Sequence, residues 1–241
     1  MKTIPRLLAS SLLFTAVASV SAQELFVYRN LDNYSGQSYA NGGAATQSGN
    51  TITRLVADDL TPLSGFAGQT ISNIYFSVAN LNTVAVSARP RLRMWQADGS
   101  GGGPGTLITG FTFNPISFGA SSLSGFYFNP GALTVPNGTF WMGLTFDDNT
   151  GTTGATAAQL NNLGMGLFSP PTIGTSADTF FQTTAAGSFL VNNPAGAMSN
   201  FGGNPPANFY FGMSVSVPEP STCAFLGLGC AALMIFRRRR S

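Results

Sequence analysis

The chain has 241 residues, of which 8% are charged and 44% hydrophobic, and its formal net charge is +2. Globular domains carry about 25% charged residues, so uncharged polar residues and glycine must cover most of this surface. The chain has no histidine, which excludes a Ser-His-Asp triad, a Cys-His dyad and any histidine-ligated metal. The length suits one domain with short additional segments.

The first segment is typical of a secretory signal peptide. Two basic residues, Lys2 and Arg6, precede an apolar stretch at 7–20, and small residues up to Ala22 follow where signal peptidase cleaves. As a helix this stretch would rise only about 21 Å, less than the ~30 Å hydrocarbon core of a bilayer. We therefore predict a signal peptide over residues 1–22 with cleavage after Ala22. The alternative is an uncleaved anchor helix.

Residues 23–217 indicate an exported all-β domain. Short runs rich in Val, Ile, Phe, Tyr and Thr alternate with clusters of Gly, Asn, Pro and Ser. The predicted strands are 24–30, 52–58, 71–79, 83–95, 106–113, 123–128, 139–146, 178–183 and 207–217. Long polar loops are predicted at 32–50 and 147–177, with at most a short helix at 155–163.

Several of these strands show a period of two, which predicts one buried face. Ile74, Phe76 and Val78 share a face and oppose Tyr75 and Ser77. The same pattern places the following residues on one face: Phe209, Phe211, Met213, Val215 and Val217. One-sided burial predicts an antiparallel β-sandwich, jelly-roll-like, in which two sheets pack face to face.

The charges are unevenly distributed along the chain. The predicted domain at 23–217 holds five arginines and eight acidic residues, a formal charge of −3, and it holds no cysteine. The other basic residues flank the two apolar segments at the ends of the chain. The net charge of +2 is therefore no argument for a nucleic-acid partner.

The C-terminal segment has three parts. A Pro-Glu-Pro motif, which interrupts regular structure, comes first, then an apolar run at 223–236 and an arginine cluster. The motif and cluster residues are Pro218, Glu219, Pro220, Arg237, Arg238, Arg239 and Arg240. We predict a short transmembrane helix whose arginines stop transfer and stay cytoplasmic. Cys223 and Cys230 lie on one face of it as packing residues; the alternative is acylation of Cys223.

This tail, residues 218–241, resembles the PEP-CTERM sorting signal in its motif, order and terminal position. The resemblance implies processing near the motif by an exosortase, a membrane cysteine protease-transpeptidase, in a Gram-negative bacterium that makes exopolysaccharide. It also implies export by the Sec route, a transient anchor in the inner membrane, and a final place at the cell surface or in the extracellular matrix. The alternative is a permanent tail anchor.

A glycine-rich segment suggests a second resemblance. Residues 102–107, Gly-Gly-Pro-Gly-Thr-Leu, follow a strand containing Trp95, and residues 140–144 read Phe-Trp-Met-Gly-Leu. These segments resemble β-sandwich domains of bacterial surface proteins grouped as choice-of-anchor domains, most of which have no known activity. A phosphate-binding loop is excluded, because no lysine follows the glycines and no helix begins after Gly105.

Two tryptophans and two arginines form the first candidate site. By alternation Trp95 and Trp141 fall on the polar faces of their strands, and Arg91 and Arg93 share the face of Trp95. Exposed indole rings beside guanidinium groups suit the stacking and hydrogen bonding of sugars. The alternatives are an outer-face Arg–Trp stack that only stabilises the sheet, or a loop that covers both rings.

The acidic residues offer a second candidate site. Asp147, Asp148 and Asn149 end a strand and enter a loop, which suits Ca²⁺, although such clusters are also ordinary turn residues. Asp58 and Asp59 indicate a turn at the end of a strand. No other cofactor is predicted.

We predict no enzymatic activity. A glycosidase needs two carboxylates across a cleft, whereas Glu24 is the only glutamate of the domain and no aspartate pair is indicated. The expected function is that of a structural or adhesive component of the exopolysaccharide or biofilm matrix, and the alternative is a carbohydrate-binding module. The expected partners are signal peptidase, the exosortase, the inner membrane during export and the exopolysaccharide.

Overall fold

The computed structural model describes residues 22–186 and 192–218 of the chain. The predicted signal sequence before Ala22, the predicted membrane helix at 223–236 and the arginines at 237–240 lie outside these residues. Of the Pro-Glu-Pro motif, only the first proline is described. No helix within the described ranges is long and apolar enough to cross a membrane.

The described residues form sixteen strands and one short α-helix, numbered in chain order. The strands are β1 Ala22–Arg29, β2 Tyr34–Ala40, β3 Ala45–Gln47, β4 Asn50–Ile52, β5 Val56–Leu60, β6 Ile71–Asn80, β7 Val86–Gln96, β8 Leu107–Thr112, β9 Ile116–Phe118, β10 Ser122–Phe128, β11 Phe140–Asp147, β12 Leu163–Phe168, β13 Phe180–Thr183, β14 Gly196–Ser199, β15 Asn208–Phe209 and β16 Phe211–Pro218. The helix α1 spans Ala157–Asn161, and 3-10 turns lie at Ser64–Phe66 and Ser100–Gly102.

The strands belong to two antiparallel sheets. Sheet A has the order β1-β16-β6-β12-β15, with β10 also paired to β6 and β2 to β12. Sheet B has the order β14-β13-β5-β11-β4-β3, with β7 also paired to β11, β8 and β9. The predicted all-β fold, with two antiparallel sheets in a sandwich-like arrangement, is therefore confirmed.

The core follows the period of two that the sequence shows. In β6, Ile74, Phe76 and Val78 are buried, whereas Tyr75 on the opposite face is half-buried. The alternate residues of β15 and β16 are buried as well: Phe209, Phe211, Met213 and Val215. Successive side chains of a strand point to opposite faces, so a local pattern is enough to identify the buried face of these strands.

The prediction of long polar loops at 32–50 and 147–177 is wrong in part, because both ranges contain strands. The strands β2 and β3 lie in the first range, β4 begins at its last residue, and β12 lies in the second range. Two glycines make β12 resemble a turn, yet every residue in it is buried. A Cβ atom at Gly164 would lie 1.8 Å from the backbone oxygen of Tyr39 in β2. Glycine therefore permits the close approach of two strands there.

The short helix expected within 155–163 is present as α1. Thr156 precedes it, and its Oγ1 accepts a hydrogen bond from the backbone N–H of Gln159 at 3.2 Å. The Gln159 side chain in turn accepts a hydrogen bond from the backbone N–H of Thr156 at 2.9 Å. This reciprocal capping box accounts for where the helix begins.

Asp58 links the two sheets, and the predicted turn at Asp58 and Asp59 is wrong. Both residues lie within β5 and are buried, with 0% and 9% of their surface exposed. The Asp58 carboxyl group accepts hydrogen bonds from the backbone N–H of Phe209 in sheet A at 2.8 Å and from Ser176 Oγ at 3.1 Å. Burial raises the pKa of Asp58 well above its ordinary value, and the hydrogen bond from Phe209 opposes this only in part.

This burial predicts a pH dependence of stability. The folded state holds the Asp58 proton more tightly than the unfolded chain does. The contribution of this group to the free energy of unfolding is therefore complete below about pH 4, and it is lost as the pH rises through the elevated pKa of the folded state. Replacing Asp58 with asparagine removes the titrating group. We expect urea unfolding at several pH values to show the wild type losing stability relative to Asp58→Asn as the pH rises.

Asp98→Asn provides the control with the opposite sign. Hydrogen bonds from the backbone N–H and the hydroxyl of Thr106 lower the pKa of Asp98. The contribution of Asp98 is therefore present above its unfolded pKa and lost as the pH falls. If the stability difference between the wild type and Asp58→Asn did not vary with pH, the buried carboxyl group would not be the source of the dependence.

Candidate functional site

The strands β7 and β11 bring most of the sequence-predicted site residues together. They pair in register, which places four cross-strand pairs on one face: Trp95 with Trp141, Arg93 with Gly143, Arg91 with Thr145, and Arg89 with Asp147. Residues directly opposite each other in an antiparallel pair are close neighbours. We call this surface the β7–β11 face; it has an aromatic end and an ionic end.

The prediction that both tryptophans are exposed is wrong. Only 0% of the Trp95 surface and 2% of the Trp141 surface is accessible to solvent. Both rings belong to a cluster of buried residues that also contains Leu55, Ala57 and Phe181. A sugar has no access to the faces of these rings. The carbohydrate-binding hypothesis therefore loses the surface on which it was based.

The glycine-rich hairpin that joins β7 and β8, residues 97–106, covers the polar face of sheet B here, as the alternative of a covering loop expects. The indole N–H of Trp141 donates a hydrogen bond to the backbone oxygen of Gly102 at 2.8 Å. The backbone N–H of Asn193 donates to the oxygen of Gly105 at 2.8 Å, which holds another segment against the hairpin. Sheet B is thus packed on both sides at its aromatic end, and the buried indole has a hydrogen-bond partner.

Arg93 lies between the two ends and is also buried, with 2% of its surface exposed. Its Nη1 atom donates to the backbone oxygens of Leu92 and Phe111, both at 2.7 Å. A Cβ atom at Gly110 in the neighbouring strand β8 would lie 2.3 Å from Arg93 Cδ, so glycine leaves room for this side chain. Burial and the nearby charge of Arg91 lower the pKa of Arg93 to about 10, which leaves it protonated at neutral pH.

The ionic end is built around Asp147, which is fully buried. Its Oδ1 atom accepts a hydrogen bond from Arg89 Nε at 2.9 Å, and its Oδ2 atom forms a close ion pair with Arg91 Nε. The side chains of Arg89 and Arg91 are 19% and 11% exposed. A small cleft of about 280 Å³ borders both arginines and Asn50. The carboxylate is therefore a structural anchor for two largely buried cations.

The geometry does not suit the predicted calcium site. Both oxygens of Asp147 are already engaged by arginines, and two guanidinium groups would repel a further cation. Asp148 accepts a hydrogen bond from the backbone N–H of Thr51 at 2.9 Å, and the Asn149 N–H donates to Asp147 at 2.7 Å. Within the described part of the chain, no group of three or more His, Cys, Asp or Glu residues is placed to hold a metal.

A second polar and aromatic surface, which was not predicted from the sequence, lies on the outer face of sheet A. Tyr127 in β10 is opposite Tyr75 in β6; their ring centroids are 5.7 Å apart and the planes are inclined by 28°. Phe26 continues the row, 5.2 Å from Tyr75. We call these three residues the aromatic row. Tyr127 is 71% exposed. Alternation had placed Tyr75 on this face, but the pairing with Tyr127 depends on strand register.

Glu24 lies beside the aromatic row. Its Oε1 atom accepts hydrogen bonds from Asn73 Nδ2 at 2.8 Å and Tyr75 OH at 2.7 Å, and a close hydrogen bond from Ser214 Oγ. Burial acts to raise the pKa of Glu24, but the three hydrogen bonds outweigh it and lower this pKa. The carboxylate is thus ionised and held in one position by neutral donors from two strands.

No protein-family model matches the chain, and a search of curated proteins found no match. The class of the protein therefore follows from its own structure. The described residues form an all-β domain of two antiparallel sheets, with a second buried cluster on one sheet and an exposed aromatic row on the other.

Proposed function

We propose that this chain is a non-enzymatic exported protein, a structural or adhesive component of an exopolysaccharide matrix at the cell surface or outside the cell. Signal peptidase would remove residues 1–22, and an exosortase would process the tail near Pro218. The short transmembrane helix at 223–236 would hold the precursor in the inner membrane only until that step. The jelly-roll-like β-sandwich would remain as the working domain.

One observation carries this proposal. Residues Glu24–Ser216 form one compact unit, and these bounds fall just inside the predicted signal peptidase site and the Pro-Glu-Pro motif. The buried apolar core extends from Val27 to Val215, so cleavage at both predicted points would leave it whole. A domain that keeps its core after processing is what a sorted, released protein requires.

The processing step predicts a defined mass for the extracellular protein. We expect it to begin at Gln23 and to lack residues 223–241 when the full chain is produced in a host that carries an exosortase. No lysine or arginine occurs between Arg93 and Arg237, so trypsin leaves one very long peptide. Intact-mass measurement or chymotryptic digestion is therefore the suitable method.

Glutamate variants provide matched controls for this experiment. Glu219→Ala alters the motif and is expected to leave the tail intact on protein retained with the cells. Glu24→Gln changes the only other glutamate and should be processed like the wild type. An extracellular protein that still ends in its arginine cluster would overturn the proposal of exosortase processing.

A further inference from the structure

The outer face of sheet A presents an aromatic surface that the fold itself does not require. Tyr127 is the most exposed large apolar or aromatic residue of the described chain, at 71%, and it stacks on the half-buried ring of Tyr75. Truncating the Tyr127 side chain would disturb the packing of the core little, because the ring lies on the side of β10 that faces solvent. Flat, exposed tyrosine rings offer an apolar face and a hydroxyl group to a ligand.

Glu24 supplies a positioned acceptor next to these rings. Three donors hold its Oε1 atom, whereas none of the residues in 22–186 and 192–218 donates a hydrogen bond to its Oε2 atom. Tyr75 belongs to both features, since its ring stacks on Tyr127 and its hydroxyl group orients the carboxylate. A fixed carboxylate oxygen that faces outward accepts hydrogen bonds from hydroxyl donors.

A polar cleft of about 480 Å³ lies further along β6 and β16, and none of its lining residues belongs to the aromatic row. It borders Ser72 and Ser216, whose hydroxyl groups are 2.7 Å apart, and Asn129, two residues beyond Tyr127. Ser216 lies two residues after Ser214, which contacts Glu24. The remaining lining residues are also uncharged: Gly68, Gln69, Thr70, Ile71 and Gly131. The cleft volume falls within the range of about 300–1,000 Å³ that is usual for ligand sites.

We propose that the aromatic row, Glu24 and this cleft together bind an uncharged, hydroxyl-rich polysaccharide. The Tyr127 ring stacks against a sugar ring, Glu24 Oε2 accepts hydrogen bonds from sugar hydroxyl groups, and the serine and amide side chains of the cleft contact the neighbouring sugar unit. This assignment deepens the proposed function and rests on it, since it names the matrix component that the protein holds.

The charge of the site selects the class of polysaccharide. Glu24 is negative, whereas the residues that donate to it and those that line the cleft are uncharged. Arg29, whose guanidinium carbon lies 4.7 Å from the Phe26 ring centroid, is paired with Asp32. An anionic polymer such as a polyuronate would bring its carboxylates toward Glu24, which is unfavourable. In the full chain the site therefore fits neutral hexose chains rather than acidic ones. Cleavage after Ala22 would place a positive α-amino group on Gln23, next to Glu24, and would reduce this preference.

Affinity electrophoresis of the full chain tests the assignment. Native gels are cast with hydroxyethyl cellulose or galactomannan as neutral polymers, or with alginate as the anionic polymer. We expect retardation by at least one neutral polymer and none specific to alginate. Tyr127→Ala should weaken that binding about tenfold, Glu24→Gln about fivefold, and Tyr127→Phe less than about twofold, because it keeps the ring.

Leu81→Ala is the matched control, since Leu81 is an exposed apolar residue, 47% accessible, that follows the far end of β6. It should bind like the wild type. Absence of retardation by both neutral polymers, retardation by alginate alone, or unchanged binding by Tyr127→Ala and Glu24→Gln would each overturn the assignment. The two proposals can fail separately. If the protein is processed as expected but does not bind polysaccharide, only the binding site is refuted. If the protein binds polysaccharide but is not processed, only the export proposal is refuted.

Discussion

Replacing Asp147 with asparagine is expected to lower the free energy of unfolding by about 3–5 kcal/mol. The carboxylate is fully buried and holds the guanidinium groups of Arg89 and Arg91. Asparagine keeps the size of the side chain but removes the charge, so two largely buried cations lose their counter-ion. Urea unfolding at neutral pH measures the loss.

Asp32→Asn is the matched control for that variant. Asp32 pairs with Arg29 at 2.9 Å, the same distance that separates Asp147 from Arg89, but the side chains are 41% and 35% exposed. Exposed pairs contribute roughly 0–1 kcal/mol, because water screens the charges and can replace the partner. Equal losses in the two variants would contradict the view that burial makes Asp147 important.

Replacing Trp141 with alanine is the second change with a large expected effect, a loss of about 3–5 kcal/mol. Trp141 is 2% exposed, and its ring centroid lies 6.3 Å from that of Phe181. Alanine would leave a cavity between sheet B and the glycine-rich hairpin. Trp141→Phe keeps most of the volume but loses the hydrogen bond to Gly102, so it should cost about 1–2 kcal/mol.

This pair of variants separates the structural role of Trp141 from a binding role. We expect Trp141→Phe to bind neutral polysaccharide like the wild type, because the β7–β11 face and the aromatic row belong to different sheets. A Trp141→Ala protein that keeps wild-type stability would contradict the buried position of the ring.

Local patterns predicted the parts of the fold that depend on neighbours along the chain. The alternation in β6 and β16 identified their core faces, and Thr156 with Gln159 accounts for the short helix. The strand β12 was missed because its glycines, which usually mark turns, allow β2 to approach closely. That use of glycine depends on a strand distant in the sequence.

The candidate site shows the same division. The sequence identified Trp95, Trp141, Arg91, Arg93 and Asp147 as unusual residues, and the structure brings all of them to one face. Trp141 is covered by a hairpin that lies 39 residues earlier in the chain, and Arg93 also donates to the backbone of Phe111 in β8, so alternation within one strand could not predict their burial. Tyr127 was not identified as a site residue, because its pairing with Tyr75 depends on the register between β10 and β6, which the sequence does not reveal.

The sequence by itself determined the class of the fold, the alternation of buried and outward faces, and the uncharged character of the surface. These properties are local or compositional, because side-chain direction in a strand follows from the backbone of that strand. Only the tertiary structure decided which outward face meets solvent. On sheet B the hairpin covers the tryptophans, which form a second buried cluster with Leu55, Ala57 and Phe181, whereas on sheet A the face with Glu24, Tyr75 and Tyr127 stays open. Exposure depends on what packs over a strand, and that is a property of other segments of the chain rather than of the strand's own sequence.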